Sequence, residues 1–200
     1  MAHRSDGLQL FVDATVAACD QFVQDPEARR SILQVFSVLK TPGVQRSGAG
    51  IRLPACSYLG QALDVETPHL SLRRVGAQFR SIEPLLEWRR RVSFDGSASD
   101  NFVDGHANAM IIGPGGLEDR RDIWIGVSLM APNVRYPDHN HEPEEVYLVL
   151  SEGEFRQRDG PWFSPGIGGS FYNEPQIKHA MRSVNTPLFA LWILRACSPS

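Results

Sequence analysis

One short stretch of this sequence concentrates side chains that bind metals. His139, His141 and Glu145 lie within twelve residues that end at Tyr147, and His179 follows 34 residues after the glutamate. Side chains alternate between the two faces of a strand, so the two histidines would share one face, as would Glu145 and Tyr147. One face of a β-hairpin could therefore carry all four. The pattern predicts a metal site that His179 completes.

The donor atoms restrict the metal without choosing it. Imidazole and carboxylate ligands suit one divalent transition metal, and Zn, Fe, Mn, Ni, Cu and Co all remain open. Two plainer interpretations exist, since a single His-x-His on a surface is common and Glu142, Glu144 and Glu145 could form a solvated acidic cluster. The joint spacing of both histidines, Glu145 and His179 favours the metal site.

The first half of the sequence predicts helices. Apolar residues recur at helical spacing from residue 8 to about residue 24. Asp25-Pro26-Glu27 is typical of a helix start, with Asp as the N-cap and Pro at the first helical position, and Thr41-Pro42-Gly43 ends this second helix. A third helix is expected from Ile82 to about Val92.

Beyond a turn-rich segment at residues 95–101, the sequence predicts strands. Short apolar runs, most of them bounded by Gly and Pro turns, indicate Ile123–Met130, Glu145–Leu150, Gly153–Arg158, Gly169–Tyr172, Ile177–Ser183 and Leu188–Leu194. This pattern is typical of a sandwich or a barrel. Residues 104–122, with Gly113-Pro-Gly-Gly116, are either an early barrel turn or a mobile lid. A phosphate loop is disfavoured because no Lys-Ser/Thr pair or helix start follows.

The two halves are expected to fold together. We predict a helical region at residues 1–100 and a barrel at residues 101–200, the helices packing on the barrel so that both form one cooperative unit. The apolar stripes of the helices are too few for a separate core, since chains below about 100 residues are marginal without one.

Composition and charge exclude several partners. The 200 residues are 42% hydrophobic and 22% charged, and the net charge of −3 gives no electrostatic case for nucleic acid or membrane. Arg89-Arg90-Arg91 is interpreted as a solvated helix face because Glu83 and Glu87 accompany it. Three scattered cysteines, at positions 19, 56 and 197, indicate small buried or terminal apolar residues, not a zinc knuckle or a disulfide framework. No apolar run resembles a signal peptide or a membrane span, so we expect a cytoplasmic protein.

The ligand spacing resembles the first motif of the cupin superfamily, in which His-x-His, three or four residues and then Glu bind a divalent metal inside a small β-barrel. His179 lies where the second cupin motif supplies a further histidine. The turn glycines of the family have drifted, since Asn133 replaces the first and the second arrives one residue late, at Gly153. The resemblance implies a mainly β fold with a C-terminal cupin (double-stranded β-helix) barrel, on which the N-terminal α-helical region packs.

Two tyrosines are the catalytic candidates. Tyr147 follows Glu145 by two residues and would face the metal. It is either an ordinary core aromatic or a general base, because a nearby divalent cation stabilises a phenolate and lowers a pKa that is ordinarily about 10. We predict that Tyr147 is the general base. Tyr136, three residues before His139, is expected at the barrel mouth.

The pattern His-x-His-x-x-x-Glu-x-Tyr, with Tyr136 upstream and His179 downstream, resembles a narrower group. This group is the cupin-type dimethylsulfoniopropionate (DMSP) lyases of marine bacteria, known as DddQ, DddK and DddL. The helical first half is similar in layout to the DddQ branch. The resemblance implies cleavage of DMSP, a small zwitterionic sulfonium carboxylate, to dimethyl sulfide and acrylate.

Carried onto matching positions, the resemblance implies a metal bound by His141, Glu145 and His179. His139 would be a fourth ligand or a neighbour of the ligands, and Tyr147 would lie on or beside the metal. The sulfonium cation favours an aromatic, water-poor wall, for which the candidates are Tyr136, Trp162, Phe171, Tyr172 and Trp192.

Two other classes of function share the same ligands. An iron-dependent cupin dioxygenase would leave positions open for O₂ and would not need Tyr147. A non-catalytic cupin that binds a small acid would usually carry a fused regulatory domain, and the first half of this sequence shows no helix-turn-helix with a basic face. The sequence does not determine the oligomeric state.

Overall fold

The computed structural model describes residues 3–48, 50–64, 66–92 and 94–196. Within these ranges the helices are α1 (Asp6–Phe22), α2 (Pro26–Leu39), α3 (Leu59–Leu63), α4 (Leu70–Ile82) and α5 (Phe102–Gly105), with 3₁₀ turns at Pro54–Tyr58 and Glu83–Leu85. The strands are β1 (Val44–Gln45), β2 (Trp88–Arg89), β3 (His106–Ile112), β4 (Glu118–Asp119), β5 (Ile123–Met130), β6 (Glu144–Val149), β7 (Glu154–Gln157), β8 (Ser170–Asn173), β9 (His179–Arg182) and β10 (Leu188–Arg195). No helix in these ranges is long and apolar enough to cross a membrane.

Local chemistry explains where the first two helices begin. The Ser5 hydroxyl accepts a hydrogen bond from the Leu8 amide at the start of α1. The Asp25 carboxylate accepts one from the Ala28 amide. Pro26 occupies the first position of α2, where a backbone N–H would have no partner within the helix, so the helix loses no hydrogen bond. The predicted start of α2 is therefore confirmed.

The predicted third helix from Ile82 to Val92 is wrong. The helix in this region is α4, which ends at Ile82, and a 3₁₀ turn and then the extended strand β2 follow it. Pro84 explains the change, because proline has no backbone N–H with which to continue the hydrogen bonds of α4. The arginine run consequently does not lie on a helix: Arg89 ends β2 and Arg91 follows it.

The barrel wall is a sheet with the strand order β1-β4-β3-β5-β10-β6-β8, in which β2 also pairs with β3. Its pairs are antiparallel except for β3 and β4, which are parallel. A second sheet consists of β7 and β9. The six predicted strands correspond to β5 to β10, with ends shifted by a few residues. Strand β3 has no counterpart among the predicted strands, and it occupies part of the segment predicted to be a barrel turn or a mobile lid. The turn itself lies at residues 113–116, where the Gly116 amide donates to the Gly113 carbonyl.

Alternation along the strands builds two separate cores. On β6, Val146 and Leu148 point outward into the core that α1, α2 and α4 share with the sheet. Tyr147 and Val149 point inward, to a cluster that includes Phe155 on β7 and residues of β9 and β10. Residues 1–100 thus cover the outer face of the barrel and also contribute β1 and β2. The predicted boundary near residue 100 and the single cooperative unit remain predictions.

The described cysteines are a small part of this core. Both Cys19 and Cys56 are buried free thiols. Position 197 lies outside the described residues.

Candidate metal centre

The strand register aligns the candidate side chains in rows on the inner face of the sheet. Glu145 and Tyr147 share this face because they are two residues apart on β6. One row passes through Glu145 and consists of Trp124, Leu194, Glu145 and Asn173. The next row passes through Tyr147 and consists of Met110, Gly126, Trp192, Tyr147 and Phe171.

The imidazoles reach the same place from outside this sheet. His139 lies before β6 and forms an isolated antiparallel bridge with His179 at the start of β9, through two backbone hydrogen bonds of 3.0 and 2.8 Å. One ring nitrogen from each of His139, His141 and His179 lies within 4.8 Å of the others. The segment with His139 and His141 is not a regular strand, so their proximity depends on this bridge and not on strand alternation.

All three rings are held in one tautomer by backbone carbonyls. The Nδ1 atoms of His139, His141 and His179 each lie 2.9 Å from a carbonyl oxygen two residues away, those of Pro137, Pro143 and Ile177. A carbonyl only accepts, so Nδ1 carries the proton and Nε2 keeps its lone pair. This arrangement fixes the ring orientation and leaves Nε2 as the atom that can bind a metal.

Glu145 completes the cluster as an ionised carboxylate. Its Oε2 lies 3.4 Å from Nε2 of His141 and 3.3 Å from Nε2 of His179, and it accepts a 2.9 Å hydrogen bond from Asn173 Nδ2. Burial acts to raise the pKa of this carboxyl, but the two imidazoles hold it well below its usual range. Glu144 and Glu145 are both buried, so the solvated acidic cluster is excluded as an account of them.

The electrostatics of the imidazoles suit a cation. Burial and the neighbouring His179 lower the pKa of His139 to about 3, which keeps that ring neutral. For His141, burial acts to lower the pKa, but contact with Glu145 raises it overall. Nε2 of His179 is buried and has no hydrogen-bond partner among the described residues. An unsatisfied buried nitrogen between imidazoles and a carboxylate is costly unless a cation occupies the gap, and these residues therefore fit a divalent metal.

The two tyrosines have different surroundings. The Tyr147 phenol is buried beside Glu145, and burial together with this carboxylate raises its pKa well above the usual value. The Tyr136 hydroxyl accepts a 3.0 Å hydrogen bond from Asn108 Nδ2. Burial raises the pKa of Tyr136 as well, although Arg91 and Asn108 act in the opposite direction.

A cavity of about 220 Å³ connects these groups. Its described lining residues are Arg91, Asn108, Met110, Trp124, Ser128, Tyr136, His139, His141, Glu145, Tyr147, Met181, Trp192 and Leu194. Of the five aromatic candidates for the sulfonium wall, Tyr136 and Trp192 line the cavity.

The other three aromatic candidates do not line it. Trp162 lies under the guanidinium of Arg182, 4.4 Å from its ring centroid. Phe171 stacks on Tyr147, and Tyr172 donates to Glu144. The sequence interpretation missed Arg91, Asn108 and Trp124. Trp124 shares a row with Glu145 because both pair with Leu194, and this pairing is visible only in the structure.

Comparison with known proteins agrees with this geometry. A family profile described as dimethylsulfoniopropionate lyase matches residues 27–190. The chain belongs to the DMSP lyase family. The enzyme is accordingly a carbon–sulfur lyase, and its family supports cleavage of DMSP. DMSP lyase DddQ of Ruegeria pomeroyi is 26% identical to it over 170 residues, which cover 84% of this chain and 83% of DddQ.

Solved structures show the fold of the lyase. The crystal structure of DddQ from Ruegeria pomeroyi matches with a TM-score of 0.72 at 21% identity, covering 98% of this chain and 95% of DddQ. A crystal structure from work on the DMSP lyases RdDddP and RnDddQII gives the same TM-score of 0.72 at 20% identity, covering 96% and 93%. The predicted mainly β, cupin-type fold with packed helices and the predicted DddQ-like family are both confirmed.

Proposed function

We propose that this lyase is metal-dependent and cleaves DMSP to dimethyl sulfide and acrylate by β-elimination. One observation carries the proposal: His139, His141, the Glu145 carboxylate and two phenols line a single cavity, and a ring nitrogen of His179 lies within 4.8 Å of those of the other two histidines. The cavity also contains indole rings, which favour a sulfonium cation through cation–π contact.

The metal would be held by His141, Glu145 and His179, with His139 as a fourth ligand. Their fixed Nε2 lone pairs and the ionised carboxylate form a donor set for a divalent transition metal. When bound, the metal would supply positive charge that stabilises both a phenolate at Tyr147 and the negative charge that develops on the substrate carboxylate.

Tyr147 is the proposed base. Its phenol lines the cavity from the inner face of β6, and its ring is fixed by stacking on Phe171, with the ring centroids 5.1 Å apart. With Glu145 as its charged neighbour, the phenol retains its proton, because the carboxylate opposes a second negative charge. Binding of Glu145 to a cation removes that opposition, so the metal-loaded enzyme is the form with a usable base.

A base at Tyr147 is sufficient for the complete β-elimination. The Tyr147 phenolate takes the proton from the carbon next to the substrate carboxylate, and the electron pair of that C–H bond forms the carbon–carbon double bond. The bond between the β-carbon and sulfur breaks, and its electron pair neutralises the sulfonium as dimethyl sulfide. The leaving group departs uncharged and therefore needs no protein acid.

An anaerobic assay tests the proposed function. Purified protein is loaded with Zn, Fe, Mn, Ni, Cu or Co in turn and incubated with DMSP, and dimethyl sulfide is measured in the headspace. Release without oxygen, and its loss after chelation, support the metal-dependent lyase. Consumption of substrate only with oxygen would support a dioxygenase, and binding without turnover would support a small-acid-binding protein.

Tyrosine variants test the base. Tyr147→Phe preserves the ring and its stacking, and turnover should fall about 10²–10⁴-fold, which is the usual contribution of a positioned base. Tyr136→Phe is the matched variant at the other cavity phenol, where substrate binding should be affected more than proton transfer. If Tyr147→Phe at equal metal content still exchanges the substrate α-hydrogen with D₂O at the wild-type rate, the base is another group. Tyr136 would then be the next candidate, since Arg91 and Asn108 oppose the rise in its pKa that burial causes.

A further inference from the structure

Arg91 occupies a rigid position at the cavity. It lies two residues after the end of β2, and its backbone amide donates a 2.8 Å hydrogen bond to Nε2 of His106. His106 is buried and stacks flat on Phe102, with ring centroids 3.7 Å apart. Its Nδ1 donates to the Phe102 carbonyl, so Nε2 is free to accept. A buried imidazole in one tautomer therefore fixes the backbone of Arg91 at the cavity wall.

The guanidinium of Arg91 contributes charge to this cavity. It lies 5.9 Å from the Tyr136 ring centroid and lines the same space as the imidazoles and Glu145. Among the described lining residues, it is the side chain that is cationic throughout the working pH range. Burial raises the pKa of Tyr136 overall, and the guanidinium acts in the opposite direction, so the charge of Arg91 acts on groups inside the cavity.

The substrate class has two ends of opposite charge. A guanidinium attracts a carboxylate and repels a sulfonium, and it can hydrogen-bond both carboxylate oxygens. The indoles of Trp124 and Trp192 line the same cavity and have the opposite preference. The guanidinium and the two indoles can therefore orient a zwitterion, because they attract its opposite ends.

On the basis of the proposed function, we propose that Arg91 binds the carboxylate end of the substrate and selects sulfonium compounds that carry a carboxylate. Arg91 thereby directs the sulfonium toward the indoles. Because the acrylate product retains the carboxylate, the same contact makes acrylate a competitive inhibitor.

The test compares three ligands that differ in charge. DMSP carries both ends, acrylate carries only the carboxylate, and the ethyldimethylsulfonium cation carries only the sulfonium. Binding of acrylate and of the sulfonium cation is measured by titration calorimetry, which needs no turnover, and DMSP is measured by steady-state release of dimethyl sulfide. Arg91→Gln is compared with Arg91→Lys at equal measured metal content. Arg89→Gln is the matched control, because Arg89 is 66% exposed and pairs with Glu87 outside the cavity.

Arg91→Gln should raise both the KM for DMSP and the Kd for acrylate about 10- to 100-fold, the range that one charge-assisted interaction supplies. Its kcat should change less than its KM, and the sulfonium cation should bind equally well or more tightly. Arg91→Lys should recover part of the acrylate affinity, and Arg89→Gln should match the wild type.

Two results would overturn the assignment of Arg91. One is unchanged acrylate affinity in Arg91→Gln, and the other is equal weakening of all three ligands, which would indicate general damage to the cavity. If Arg91→Gln unfolds, the comparison of Arg91→Lys with the wild type decides in the same way. Absence of dimethyl sulfide from the wild-type enzyme would refute the proposed function, whereas Arg91-dependent binding of acrylate would still support the carboxylate site.

Discussion

Replacing Glu144 by glutamine tests whether the helices and the barrel form one cooperative unit. The Glu144 carboxylate accepts hydrogen bonds from Arg30 Nη2 at 3.0 Å and Ser31 Oγ at 3.1 Å, both on α2. It also accepts from Tyr172 Oη at 2.6 Å on β8 and Arg195 Nε at 2.7 Å on β10. One buried carboxylate thus connects a helix to three strands of the barrel, including its own.

The expected loss of stability follows from these contacts. Glutamine preserves the shape and one acceptor oxygen, but it removes the charge and directs an NH₂ group at donors. The two arginines are 41% and 44% exposed, so their ion pairs are screened and contribute about 0.5–1 kcal/mol each. The unsatisfied buried donors add about 1–3 kcal/mol. The total is about 3 kcal/mol, which corresponds to a melting temperature about 6–12 °C lower for a chain of this size.

The stability lost in Glu144→Gln should depend on pH in a defined direction. Burial acts to raise the pKa of Glu144, but hydrogen bonds from Tyr172, Arg195 and Ser31 lower it overall. A lowered folded-state pKa adds stability that is present above the unfolded value of about 4.5 and is lost as the pH falls through the folded value. The difference between wild type and Glu144→Gln should therefore narrow below about pH 4.5.

Urea unfolding is followed by far-UV circular dichroism, which reports mainly on the helices, and by tryptophan fluorescence, which reports mainly on the barrel because three of the four tryptophans lie there. Both midpoints should fall together in Glu144→Gln, because the helices and strands share one core. Glu142→Gln is the matched control, since Glu142 is exposed and its loss should change stability by less than about 0.5 kcal/mol. A circular dichroism midpoint that falls while the fluorescence midpoint stays unchanged would refute the cooperative unit. A stability change no larger than that of the control would refute the role of the carboxylate.

Three further predictions concern the metal and the cavity. Asn173→Ala should weaken metal affinity about 10- to 100-fold in a chelator competition, because Glu145 loses the donor that orients it; unchanged affinity would contradict this role. Because the pKa of His141 is raised and a ligand must be neutral, metal affinity should rise with pH through that value, with proton release detectable by calorimetry in buffers of different ionisation enthalpy. Gly126→Ala should destabilise the enzyme by about 1–3 kcal/mol and raise the KM, because a β-carbon there would lie 2.2 Å from the Trp192 ring; a wild-type melting temperature and KM would argue against it.

The sequence predicted the parts of the fold that depend on local chemistry. Strands β5 to β10 follow from apolar runs and turn residues, and the start of α2 follows from Asp25 and Pro26. Helix α4 was missed although its buried residues Leu72, Val75, Phe79 and Ile82 recur every three or four positions. The predicted helix depends on the apolar residues at positions 85–88, and Pro84 argues against a helix there. Strand β3 gave little signal, because its identity depends on pairing with β5.

Some features of the candidate site could also be predicted from the sequence, and others could not. The ligand residues could be proposed from their spacing, because that spacing resembles the cupin motif. The tautomers of the three histidines could not, because they depend on backbone carbonyls whose positions follow from the fold. The sequence wrongly predicts a solvated helix face for Arg91, because its true surroundings also depend on the fold. Its place at the cavity depends on the end of β2 and on the buried ring of His106, and neither leaves a pattern in the sequence.

The adjacent carboxylates Glu144 and Glu145 show why the metal site and the packing of the helices cannot be specified separately. They point to opposite faces of β6, one toward arginines and α2 and the other toward imidazoles. A slip of β6 by one residue would exchange the two faces along the whole strand. The ligand would then face the helices, and Val146 would replace Tyr147 in the cavity. The apolar alternation that buries Val146 and Leu148 under the helices therefore also selects the register that directs Glu145 and Tyr147 to the proposed metal.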